Sequence, residues 1–205
     1  MRRLVADMAS PFDPARDSAI ARWEAVSHEQ LADCRVFRVG RSRFRHPRRG
    51  VEADFFVIDS PDWVNVVAVT TAQEIVLVNQ FRFGSQQFSW EIPGGLLDEG
   101  EDPLIAGQRE LLEETGFGGG RARLLGAVWP NPAVQNNRCH FVLVEGVSRT
   151  AELAWDEHEE LESLHLPVEE VFARARAGEI QHPLTMTALF LFEPHWRKLK
   201  GEPAV

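Results

Sequence analysis

The sequence predicts a domain of the α/β or α+β class. Three observations carry this. β-branched runs of strand length crowd the middle of the chain, helical stretches with clear start and stop residues stand apart from them, and no segment is repeated or of low complexity. With 205 residues, 44% hydrophobic and 26% charged, the chain can bury a core without disulfide or metal staples.

The elements follow in order. Met1 to Phe12 holds two arginines but is broken by Asp7 and Pro11, so a secretory leader is not expected. Residues 15–32 are read as a helix. Residues 35–49 carry seven arginines, and Arg41, Arg43 and Arg45 alternate with Ser42, Phe44 and His46 as on a half-exposed strand. That run fits either a phosphate site or the solvated face of a hairpin, and the alternation favours the solvated face for most of it. Phe55 to Ile58, Trp63 to Thr70 and Ile75 to Val78 read as strands separated by Asp59-Ser60-Pro61-Asp62 and Ala72-Gln73-Glu74 turns. Leu124 to Trp129 and Cys139 to Glu145 read as further strands. Pro103 to Thr115 reads as a helix, with Asp102 as N-cap, Pro103 at the first helical position and Gly116 as the stop. Pro167 to Ala177 is a second helix, ending at Gly178. Leu184 to Leu199 is a third, expected to be interrupted near Pro194.

Composition narrows function. The longest apolar runs are of strand length, which excludes a membrane-spanning helix. A net charge of −9 argues against bulk nucleic acid as a partner. Cys34 and Cys139 lie far apart without metal-like spacing, as in reduced thiols of a cytoplasmic protein.

The chemistry concentrates in Gly95 to Phe117. Its skeleton is Gly95, five residues, Glu101, seven residues, then Arg109-Glu110-Leu111-Leu112-Glu113-Glu114-Thr115-Gly116-Phe117. On a helix Glu110, Glu113 and Glu114 fall at i, i+3 and i+4, so their carboxylates share one face and repel one another. A hard divalent cation between them relieves that repulsion, and Mg²⁺ prefers such oxygen ligands. Arg109 lies beside the face and is placed to pair with Glu101. Leu104, Leu111 and Leu112 supply the packing side. Taken alone, the Glu-Glu pair is equally an acidic solvent face; the complete skeleton is far more specific.

This segment matches the Nudix box, and the chain resembles a Nudix hydrolase. The resemblance implies an α/β/α sandwich with a mixed sheet over residues 63–205, preceded by an extension, 1–62, that is strand-rich from about residue 35. It implies hydrolysis of a nucleoside diphosphate linked to another moiety, with Mg²⁺ or Mn²⁺ bridging the pyrophosphate. Metal ligands are implied at Glu110 and Glu114, with Glu113 close by and the Gly94 carbonyl adding a ligand. Val78 to Arg82 and Trp90 to Gly95 resemble the ADP-ribose and nucleoside-diphosphate-sugar pyrophosphatases of the family, in which many members carry tyrosine where Phe81 stands. Arg82 is then the candidate pyrophosphate contact, since a guanidinium grips phosphate oxygens in bidentate fashion. The position of Pro132 after the box resembles the same subgroup. Beyond it, Gln135, Asn136 or Asn137 either line the sugar side or form a polar turn. Trp63 or Phe44 either stacks on a base or packs the core.

The water-activating base has two sources, Glu113 on the helix or the acidic segment from Asp156 to Glu162. That segment is read as a loop between the strand ending near Glu145 and the helix near Pro167. The resemblance makes Glu157 the base and Glu159 an additional metal ligand. It also implies a homodimer in which the N-terminal strands contribute. Other nucleoside diphosphate derivatives, such as GDP-mannose or dinucleoside polyphosphates, and a non-catalytic sensor remain as alternative readings.

Overall fold

A computed structural model describes residues 20–152 and 160–202. Two sheets organise them. The first is antiparallel, in the order β1 (Glu24–Asp33), β2 (Arg38–Arg45), β3 (Glu52–Asp59). The second is mixed and has eight strands. Its main path is β11 (Glu162–Pro167), β5 (Glu74–Arg82), β4 (Trp63–Thr70), β10 (Cys139–Arg149), β8 (Phe117–Gly118). Three more strands attach to this path: β6 (Gln87–Glu91) on β5, β7 (Gly94–Leu96) on β4 and β9 (Arg121–Val128) on β10.

β4 shows how the sequence makes a sandwich. It runs Val64-Asn65-Val66-Val67-Ala68-Val69-Thr70 without an exposed residue, as a strand covered on both faces must. Its side chains divide with period two. Val64, Val66 and Ala68 pack with Ala106 and Leu111 of α1 (Pro103–Thr115). Val67 and Val69 pack with Val171 and Phe172 of α2 (Val168–Arg176) and with Leu189, Phe192 and Trp196 of α3 (Pro183–Leu199). The sheet therefore lies between α1 on one face and α2 with α3 on the other, the expected α/β/α arrangement. β4 pairs in parallel with β10 and antiparallel with β5, which makes the sheet mixed. The α1 backbone comes close to the sheet at Gly107, where a Cβ would sit 3.2 Å from Val66 and 3.3 Å from Val142.

Several elements depart from the expectations. The described part of residues 15–32 is not helical: Glu24–Asp33 is a strand, because it pairs along its length with β2 and sets Glu29 opposite Arg41. α3 is not interrupted at Pro194. The carbonyl that Pro194 leaves unpaired belongs to Phe190, a residue 75% exposed, where water can donate to it. β10 continues four residues past Glu145, and the segment before α2 is strand β11 from Glu162, not loop throughout. Asp156, Glu157 and Glu159 lie outside the described residues.

Candidate active site

Asp102 caps α1, its carboxylate accepting the Leu104 N–H at 2.7 Å, with Pro103 behind it. At the other end Gly116 adopts φ 70° and its N–H donates to the Leu112 carbonyl at 2.8 Å. These two signals fix the helix phase, and with it the face that presents Glu110, Glu113 and Glu114.

Arg109 ties the preceding loop to that face. Its guanidinium donates to both Glu101 oxygens, to the Leu96 carbonyl and to Glu113 Oε2, each at 3.1 Å, and to Glu110 Oε1 at 2.8 Å. The expected Arg109–Glu101 pair is therefore present. The hydrogen bonds to Arg109, and a further one from the Asp98 N–H, hold the Glu101 carboxyl below the usual range. The same contact with Glu101 raises the Arg109 pKa further, so the arginine keeps its charge throughout.

The opposite wall is β7. Its Gly94 N–H donates to the buried Glu114 carboxylate at 3.0 Å. β7 is squeezed between β4 and α1, and both its glycines are required by that closeness. A Cβ on Gly94 would lie 2.2 Å from the Val64 carbonyl, and one on Gly95 would lie 2.4 Å from Glu110 Oε1. Gly94, Glu110, Glu113 and Glu114 are thus brought together. The donor set is entirely oxygen and carries several negative charges around one guanidinium, and the missing side chain of Gly95 lets the Glu110 carboxylate lie directly against β7. Such a set fits a hard divalent cation, although among the described residues no three acidic, histidine or cysteine groups already stand in a metal-holding cluster.

A cleft of about 490 Å³ runs from this wall toward the N-terminal sheet. Glu114, Gly94 and Gly95 line it together with Arg82, Trp63 and His182, and Val36 and Phe37 of the β1–β2 connection cover one end. Trp63 therefore faces the cleft. Phe44 does not line it; its ring meets that of Phe55 edge to face within the N-terminal sheet. Arg82 is on the cleft wall and is also paired with Glu91, through Nε at 2.8 Å and Nη2 at 2.6 Å. Glu91 and His182 were not singled out from the sequence. Glu91 stands within the quoted Trp90 to Gly95 stretch, but a buried acid cannot be told from an exposed one by local pattern.

The arginine-rich run is largely matched by acids across the strands. Arg41 pairs with Glu29, Arg43 with Asp54, and Arg45 with Glu52. This is the solvated-face reading. Of the polar residues after Pro132, Asn136 ties the loop with its side chain, Gln135 pairs through its backbone, and the buried Asn137 amide has no hydrogen-bond partner among the described residues. Asn136 donates to Asp59 at 2.7 Å and accepts from the Ser60 N–H at 3.3 Å, and Gln135 bridges to Ile58. Both cysteines are free thiols; burial and the nearby Asp62 push Cys139 up to about 12.

A mixed sheet between helices, with a loop–helix unit that gathers carboxylates beside a glycine strand, defines a hydrolase of phosphate anhydrides that works with divalent cations. The family model described as NUDIX domain matches residues 60–187, and the chain belongs to that family. Curated relatives include the methanol dehydrogenase activator of Bacillus methanolicus, 28% identical over 81% of this chain and 90% of that protein. The ADP-ribose pyrophosphatase of Bacillus subtilis is 31% identical over 65% of this chain and 72% of its own length. That of Mycobacterium tuberculosis is 27% identical over 82% and 81%. A crystal structure of an ADP compounds hydrolase superposes with TM-score 0.78 at 22% identity, covering 90% of this chain and 99% of that one, and shares its fold.

Proposed function

We propose that the chain hydrolyses ADP-ribose, or a closely related nucleoside diphosphate sugar, to a nucleoside monophosphate and a sugar phosphate. The observation that carries this reading is one cleft lined both by the box wall, through Glu114 and Gly94, and by Arg82. Carboxylates suited to cations and a guanidinium suited to phosphate there share a space in the range that small-molecule sites occupy. The names of two relatives support the substrate class.

In this reading Glu110, Glu114, the Gly94 carbonyl and Glu159 hold Mg²⁺, with Mn²⁺ as a substitute. Bound there, the cation supplies charge neutralisation of the anhydride and an acidified water. Arg109 keeps Glu110 and Glu113 in place, and Arg82 binds the substrate's pyrophosphate. Glu157, or else Glu113, takes the proton as water oxygen bonds to one phosphorus; the bridging P–O bond breaks and the departing phosphate oxygen carries the electron pair away.

The extension, residues 1–62, is proposed as a dimerisation element. β1 has no buried residue, and Phe55 and Phe56 on β3 are exposed, so this sheet has apolar surface to cover. Free cysteines fit a cytoplasmic location, and the acidic chain fits a small-molecule substrate better than a nucleic acid.

The deciding experiment incubates the protein with Mg²⁺ and a panel of ADP-ribose, GDP-mannose, dinucleoside polyphosphates and triphosphates, and measures phosphate monoesters released. Preference for ADP-ribose is expected. Preference for GDP-mannose or a dinucleoside polyphosphate would move the substrate within the family, and tight binding without turnover would make the protein a sensor. Light scattering at micromolar concentration checks the dimer.

A further inference from the structure

One buried carboxylate has no part in the reaction as drawn. Glu91 ends β6 and is 0% exposed. Its two oxygens meet Arg82 in a fork, and His182 Nδ1 lies 3.2 Å from Oε2. Burying a carboxylate is expensive, and an apolar side chain would serve packing at least as well. Burial by itself pushes the Glu91 carboxyl up, but the Arg82 hydrogen bonds and His182 overcome it and hold the group below the usual range. The charge is kept.

The pairing has a mechanical consequence. A guanidinium held at Nε and one terminal nitrogen cannot rotate about its last bonds, so its plane is fixed. Arg82 comes from β5. His182 immediately precedes α3, and the first turn of that helix is fastened to the same segment: the Ile92 N–H donates to Thr185 Oγ1 at 3.2 Å, and His182 Nδ1 lies 3.1 Å from that hydroxyl. Arg82 and His182 both line the cleft. Two elements far apart in sequence thus present side chains to one cavity with a single enclosed carboxylate behind both.

We propose that Glu91 is a positioning residue that fixes the Arg82 guanidinium on the cleft wall, with the His182 imidazole packed beside the same carboxylate, so that Arg82 grips the substrate's phosphates in one orientation. This rests on the reading that the cleft receives a nucleoside diphosphate derivative. The substrate's affinity then depends on the orientation of Arg82 and not on its charge alone.

The test is a mutant cycle read first by binding. Wild type, Glu91→Gln, Arg82→Ala, the double variant and Arg82→Lys are titrated with the methylene-bridged, non-hydrolysable form of ADP-ribose and separately with inorganic pyrophosphate, by calorimetry in the presence of Mg²⁺. Glu91→Gln should weaken binding of the ADP-ribose analogue about tenfold and add almost nothing once residue 82 is alanine. Arg82→Lys should resemble Arg82→Ala, because an ammonium cannot take both Glu91 oxygens in one plane. In turnover of ADP-ribose itself, KM should rise in the same ratio while kcat changes by less than about threefold. Unchanged affinity in Glu91→Gln, an undiminished effect of Glu91→Gln in the Arg82→Ala background, or wild-type affinity in Arg82→Lys would each overturn the proposal. If Glu91→Gln does not fold, Arg82→Lys decides, since residue 82 is exposed. Pyrophosphate binding with the predicted coupling, but no binding of the ADP-ribose analogue, would sink the substrate reading and leave Glu91's role standing. Failure of both probes to bind wild type overturns both.

Discussion

In the N-terminal sheet each of three arginines on β2 meets one acid on a neighbouring strand: Arg41 with Glu29, Arg43 with Asp54, Arg45 with Glu52. At the box a single guanidinium, that of Arg109, reaches Glu101, Glu110 and Glu113, and Glu114 stands beside them on the same helix face. The first arrangement cancels charge pair by pair at the surface and leaves little field for a ligand. The second leaves carboxylates in excess within a wall that also lines a cleft. Arginine count therefore misleads about function here, and stoichiometry of pairing is the better guide. The region richest in cations has much of its charge already matched, while the box wall, which by itself would repel an anion, carries the oxygen donors that suit a cation.

The sharpest way to break this contrast is to remove charge from the excess. Glu110→Gln or Glu114→Gln should lower kcat by a hundredfold or more, roughly the scale of losing one preorganised transition-state contact. Secondary structure by circular dichroism should be unchanged, because Glu114 faces the cleft, Glu110 is partly exposed, and neither belongs to an apolar core cluster. Near-wild-type turnover in both variants at saturating Mg²⁺ would dismiss the box as the seat of catalysis.

The two regions also differed in how far the sequence revealed them. Asp102, Pro103 and Gly116 are local signals, and they placed α1 at Pro103–Thr115 as observed. β4 was equally legible, because a strand buried on both faces is an uninterrupted apolar run. β1 was not. Its residues are all exposed, so neither a period of 2 nor one of 3.6 is imposed on it, and its conformation comes from pairing with β2. β6, β7 and β11 were missed for a related reason: they are short, and their partners are supplied by β5 and β4. In the site, the box residues were readable from spacing, whereas Glu91 and His182 meet only through the fold, 91 residues apart in the chain.

A second, smaller perturbation tests the closeness of the glycine strand. Gly95→Ala would put a methyl group 2.4 Å from Glu110 Oε1, so that carboxylate must move. The backbone itself has no positive φ at Gly95, so the fold should survive. Turnover is expected to fall about tenfold or more, with a higher Mg²⁺ concentration needed for half-maximal rate. Gly50→Ala, at a turn in the N-terminal sheet with nothing within 4 Å of the added atom, should leave turnover alone and cost only the strain of its φ of 68°.

Acid provides a third probe. Burial lowers the His182 pKa from its ordinary value, against the pull of Glu91. The unfolded imidazole, with a pKa of about 6.5, therefore takes up a proton more readily than the folded one. Below about pH 7 the unfolded state binds more protons, and stability must fall as pH falls. The depressed Glu91 carboxyl acts in the same direction further down, its contribution disappearing as pH drops through its folded value. His182→Gln should flatten the upper part of this slope in urea unfolding measured between about pH 7 and pH 5. An equally steep slope in that variant would show that another group sets it.

The smallest effect is expected where pairing is one to one. The Arg43 guanidinium meets both Asp54 oxygens, at 2.7 and 3.1 Å, in good bidentate geometry. Both side chains nevertheless reach solvent, at 50% and 28% exposure, and their attraction is opposed by water, by dissolved salt and by the entropy of holding two long groups. The pair raises the arginine's pKa and lowers the acid's, chiefly through the hydrogen bonds between them. At such an exposed site those shifts carry little stability. Arg43→Ala should therefore lower Tm only slightly in dilute buffer, and the difference should vanish in about 1 M salt, where the screening length falls to about 3 Å. Turnover per subunit should be unchanged. If Arg43→Ala instead abolished activity while the protein stayed folded, the sheet would be part of the site, and its arginines would have to face a ligand as well as one another.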